Sequence, residues 1–162
     1  MLGQILQGVK FMSKIILIAL TLMVHLSVVA EITFEVVGPC SEEPILSTKV
    51  KNTTAINVGA FSVSELDKSK LEYIGTENKI DSINGTPVGE AALEILSRSE
   101  MRAYGWCYYV NGEEPDVYPN EVTMKGVNSV KWVFGYAHYL EGEWLSMCEP
   151  SWKIKPKFLC DK

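Results

Sequence analysis

The stretch Tyr104-Gly105-Trp106-Cys107-Tyr108-Tyr109-Val110-Asn111-Gly112 constrains this chain more than any other. Four aromatics, a Val and a Cys give it strong strand preference, because ring and branched side chains suit a pleated, half-buried surface. The Asn-Gly pair that closes it favours a tight hairpin turn. Alternation puts Tyr104, Trp106, Tyr108 and Val110 on one face and Cys107 and Tyr109 on the other. Val130 to Leu140 is a second long strand, with Val130, Trp132, Phe134, Tyr136 and His138 alternating against Lys131, Val133, Gly135, Ala137 and Tyr139.

The N-terminus reads as a secretory signal over residues 1–30. Lys10 and Lys14 precede an apolar run from Ile15 to Val29, and Val28 and Ala30 stand at the −3 and −1 positions of a small-residue cleavage site. The run is shorter than the roughly 20 apolar residues of a spanning helix, and a charged strand-like segment follows at once. An uncleaved anchor is the competing reading, and Met12 is an alternative initiator. Cleavage before Glu31 removes two Lys and no acid, which takes the formal charge of the 162-residue chain from −5 to −7. An acidic exported domain is poorly suited to nucleic-acid backbones or anionic membranes. These observations point to a periplasmic or secreted protein with no stable membrane insertion after cleavage. About 130 residues remain, enough for one hydrophobic core.

All four cysteines, Cys40, Cys107, Cys148 and Cys160, lie beyond the signal. An even number in an exported chain implies two disulfides with three pairings open. Cys148 with Cys160, leaving Cys40 with Cys107, is the slightly preferred one. A metal site is not expected, since no Cys-x-x-Cys unit is present and His138 is the one histidine after the signal.

The chain from Glu31 to Cys148 reads as one domain, and residues 149–162 as a tail tied by a disulfide. Ile32 to Val37 alternates as a half-buried strand and Leu46 to Lys51 as a weaker one. Asn52-Thr53-Thr54 is a polar break that also matches the N-glycosylation pattern. Ser62 to Glu65 has a capping-box pattern, which predicts a short helix from Val63 to about Lys70. Lys79 to Ile83 is a short strand closed by Asn84-Gly85. Thr86-Pro87 then reads as a helix start, and Val88, Ala92, Ile95 and Ser99 share a helical stripe, so the main helix is expected to run from Thr86 to between Ser99 and Tyr104. Glu121 to Met124 is a brief strand, and Glu141-Gly142 closes a hairpin into Glu143 to Met147. The expected fold class is α+β: a β-grasp-like mixed sheet, disulfide-bonded, with one main helix packed on one face.

Trp106-x-Tyr108-x-Val110-Asn111-Gly112 resembles the signature of a domain family of unknown function related to the C-terminal, β-grasp-like domain of transcobalamin and intrinsic factor. The resemblance runs from about Phe61 to Tyr136. It departs from the family pattern after Gly126, where Val127-Asn128-Ser129 replaces an acidic turn residue. It implies a lid-type domain and raises cobalamin as a ligand, although the chain is too short to hold the helical barrel that accompanies such a lid.

The residues carry little catalytic signal. His138 shares a face with Trp132 and Phe134, and no nucleophile motif accompanies it. Glu113-Glu114 and Glu141/Glu143 sit in turns. A small secreted hydrolase using His138 and an acid is therefore the weakest of three readings. The leading one is a non-catalytic exported module without a cofactor. It recognises a protein partner or small flat ligand through aromatics near Val110-Asn111-Gly112, with Trp106, Tyr108, Tyr109, Asn111, Gly112, Tyr136 and Tyr139 as candidate ligand-binding residues. A corrinoid-binding accessory protein is the alternative.

Overall fold

The computed structural model describes residues 31–160. The expected signal segment, residues 1–30, lies outside the described residues. Among the described residues eight strands form: β1 (Glu31–Val37), β2 (Pro44–Lys51), β3 (Tyr73–Thr76), β4 (Lys79–Ile83), β5 (Leu93–Ile95), β6 (Glu100–Val110), β7 (Ser129–Leu140) and β8 (Glu143–Pro150). The main helix, α1 (Val58–Ser69), follows β2, and a single helical turn, α2 (Lys157–Cys160), ends the described chain. The fold is α+β, mostly strands with one main helix and two disulfides.

The main sheet has the order β2-β1-β7-β6-β5. β6 and β7 pair antiparallel from Glu100↔Leu140 to Val110↔Val130, and β1 pairs parallel with the first half of β7, Thr33↔Ser129 to Val37↔Val133. Beyond that point β8 takes over the same edge of β7, Gly135↔Pro150 to Leu140↔Glu143, so β1 and β8 lie end to end along one neighbour. β3 and β4 form a separate hairpin.

The alternation read from the sequence sets which face is buried. Phe34 and Val36 of β1, Tyr104 and Tyr108 of β6, and Val130, Trp132, Phe134 and Tyr136 of β7 are all buried. α1 covers the first half of this core face with Val58, Phe61 and Leu66, and β4 adds Ile80 and Ile83. Phe61 meets Phe34 edge-on, with centroids 5.7 Å apart. Each such fully buried side chain contributes about 1.5–3 kcal/mol. The second half of the face is covered by Ala92 and by Phe158 and Leu159 of α2.

Four expectations are corrected. The main helix is not at Thr86 to Ser99: a short 3₁₀ turn, Gly89–Ala92, leads into β5, whose Leu93, Glu94 and Ile95 pair with Ala103, Arg102 and Met101. The Thr86 hydroxyl caps nothing helical. It accepts from the Trp106 indole N–H at 2.8 Å and from the Ile83 backbone N–H at 3.3 Å, while Val88 and Ile95 of the supposed stripe stay exposed. The helix that does form begins earlier than the expected Val63. Asn57 caps it by accepting from the Ala60 N–H at 2.7 Å, and Ser62 lies inside it, donating to the Val58 carbonyl and accepting from the Trp132 indole. Glu121 to Met124 is no strand: Pro119–Glu121 is a 3₁₀ turn, and only Thr123 forms a bridge, to Asn57. The disulfides are Cys40–Cys160 and Cys107–Cys148 rather than the preferred pairing.

The tail does more than hang from its disulfide. Glu149 and Pro150 still pair with β7, and Ser151 is fully buried at the junction where β1 stops and β8 ends. Its single hydroxyl proton is shared between the Phe134 carbonyl at 2.7 Å and the Pro39 carbonyl at 3.0 Å. Trp152 then lies on the outer face and Phe158 on the core face, so the tail crosses the sheet here before Cys160 bonds Cys40.

Candidate functional site

The sheet face opposite α1 carries the other alternates: Thr33 and Glu35 of β1, Cys107 and Tyr109 of β6, and Lys131, Val133 and Gly135 of β7. β8 crosses over part of this face. Cys107 and Cys148 belong to strands separated by β7, yet their Cα atoms are 5.9 Å apart. The crossing is close at Gly135 of β7, where an added Cβ would sit 3.1 Å from the Glu149 carbonyl oxygen and 3.3 Å from the Cys148 carbonyl carbon. Cys148 itself adopts φ 53°, which bends β8 at its bulge toward Cys107. The Tyr109 hydroxyl fixes the same point by donating to the Cys148 carbonyl at 2.9 Å.

Just beyond the crossing, Pro150 and Trp152 stand as a wall over the outer face. Between them and Tyr109 lies a cleft of about 390 Å³, lined also by Gly112, Thr33, Glu35, Ser129, Lys131 and Val133. One side is apolar: the Tyr109 and Trp152 rings, Pro150 and Val133. The other is a polar ladder, because parallel pairing sets Thr33 beside Ser129 and Glu35 beside Lys131. Lys131 Nζ lies 2.9 Å from Glu35 Oε2.

Burial raises the Tyr109 phenol above its ordinary value, and the charges of Glu114 and Glu149 add to this. Burial also raises the Glu114 carboxyl, with Asp116 reinforcing it. Glu114 lies within 4.8 Å of both Cys107 and Cys148 sulfurs, but these are bonded to each other and have no thiolate to offer a metal.

The sequence-predicted site residues divide among several places. Tyr109 and Gly112 meet in the cleft. Trp106, Tyr108 and Tyr136 are on the core face: Trp106 packs edge-on against Phe134, Tyr108 lies against Trp132 and donates to the Val117 carbonyl at 2.6 Å, and Tyr136 sits beside Tyr104. Asn111 stitches the β6 turn to the start of β7, with Nδ2 donating to the Gly126 carbonyl and Oδ1 accepting from the Asn128 and Ser129 N–H groups. Tyr139 packs edge-on against Trp144 at the far end of the sheet. His138 Nε2 is 3.0 Å from Glu100 Oε1, and among the described residues no hydroxyl or thiol bonds its ring.

Trp152, Pro150, Glu35 and Lys131 were not among the sequence candidates. Glu35 and Lys131 were legible as outward alternates of their strands, but their parallel register was not. Trp152 gave no periodic signal at all. Protein-family models, curated proteins and solved structures were all compared with the chain, and none of them matches it.

Proposed function

We propose that this chain is an exported, non-catalytic binding module whose ligand sits in the outer-face cleft at Tyr109, Gly112 and Trp152. The observation that carries the reading is the cleft itself, a concave, mainly apolar site with a few convergent polar groups, at the small end of the roughly 300–1,000 Å³ range of ligand sites. Aromatic walls suit a flat ligand or one side chain of a protein partner. Periplasmic or secreted location is supported by two disulfides, the covalent chemistry of oxidising compartments. Among the described residues no helix is long and apolar enough to cross a membrane. The β-grasp assignment is supported by the order β2-β1-β7-β6, with a parallel central pair and α1 on one face. The corrinoid alternative rests on the Trp106–Gly112 resemblance alone, and a cleft of about 390 Å³ suits the edge of a macrocycle better than its face.

The test is a small-fragment screen by NMR that includes p-cresol and cyanocobalamin. Binding is expected to shift the Tyr109, Lys131 and Trp152 resonances and to weaken at least tenfold in Trp152→Ala. Shifts confined to the core-face aromatics, or binding indifferent to Trp152→Ala, would remove the cleft as the site.

A further inference from the structure

We infer that the cleft takes a neutral sugar ring, the pyranose of a glycan; this rests on the cleft being the binding site. The lining is balanced in charge. Its one carboxylate, Glu35, is held by its one ammonium, Lys131, at 2.9 Å. A cationic ligand competes with Lys131 for Glu35, and an anionic ligand competes with Glu35 for Lys131. Either must break a charge-assisted contact that it only replaces. A hydroxyl both donates and accepts, so adjacent hydroxyls of a sugar bond to Glu35 and Lys131 together and leave the pair intact.

The rest of the cleft matches the same chemistry. Thr33 and Ser129 form a second donor–acceptor rung two residues before Glu35 and Lys131, about 7 Å away along the strands, comparable with the span between hydroxyls on opposite sides of a hexose. Beside this ladder stand Tyr109, the cross-strand neighbour of Lys131, and Trp152, aromatic groups whose electron-rich faces attract the weakly positive C–H face of a pyranose. The Tyr109 hydroxyl is occupied on the Cys148 carbonyl, so the residue offers the cleft its ring rather than its O–H. A volume of about 390 Å³ limits the ligand to one or two rings.

The full disulfide-bonded chain is applied to a glycan array carrying neutral, sialylated and sulfated structures. Neutral hexose or hexosamine glycans are expected to be captured. Trp152→Ala and Lys131→Ala should each lower the apparent affinity at least tenfold, Trp152→Phe should retain most of it, and Tyr139→Ala should leave it unchanged. Near-UV circular dichroism confirms that each variant is folded. Capture of acidic glycans only, or of none, overturns the assignment. If p-cresol binds at Trp152 while no glycan does, the sugar proposal falls and the cleft stands; if neither binds, both fall.

Discussion

Asn111 shows how one side chain closes the turn on which the strand pairing depends. Its backbone has φ 54°, a left-handed value that Asn adopts more readily than most residues, and Gly112 follows at φ 87°. Its side chain makes three hydrogen bonds across to Gly126, Asn128 and Ser129. Asn111→Ala should lower stability by about 2–3 kcal/mol, since the three exposed bonds contribute near the low end of about 0.5–1.5 kcal/mol each and Ala disfavours the left-handed backbone. Urea denaturation measures this. Asn111→Gly, which keeps the backbone freedom and loses only the bonds, should lie between the two. The Asn-Gly turn was legible because turn chemistry is local. The role of the side chain was not, because its partners stand 15 to 18 residues away. The same limit hid Trp152, which comes to line the same cleft as Tyr109 only through the fold of the chain after β8.

At the scale of elements, alternation located β1, β6 and β7 well, since period-two burial reports a face directly. Helical spacing misled between Thr86 and Ser99. The helical stripe there was real as spacing, but Thr86 is drawn to Trp106 and Glu94 to Arg102, at 3.0 Å across β5 and β6. Non-local partners overrode the local pattern. α1 offers a sharper test of packing against propensity. Gly59 lies in its first turn, where Ala ordinarily gains at most about 1 kcal/mol. Here a Cβ would collide with the Glu77 backbone carbonyl in the β3–β4 turn. Gly59→Ala should therefore destabilise by roughly 1–3 kcal/mol, as a drop in thermal midpoint, because helix and turn must separate to admit a methyl group. A rise in the midpoint would mean that α1 does not sit against that turn.

For the whole molecule, two buried phenols on the core face set an alkaline limit. Burial pushes Tyr104 up to about 12, helped by its hydrogen bond to Glu94 and that group's charge, and burial with the charges of Glu121 and Glu114 pushes Tyr108 up to about 12. Both phenols ionise near 10 in the unfolded chain. The fold keeps their protons longer, so this contribution is complete below pH 10 and is lost as pH rises from about 10 to about 12. Denaturant midpoints across that window should fall, and Tyr108→Phe should flatten the fall. The two disulfides close loops of 41 and 120 residues, worth about 4 and 5 kcal/mol in chain-entropy terms. The larger loop also governs how the domain carries load. A pull between Glu31 and Cys160 passes through β1 to Cys40 and then directly across the sulfur bridge. The covalent path of that pull holds only residues 31–40 and the bridge, so the chain between the bridged cysteines, Pro150 and Trp152 of the cleft included, lies outside it.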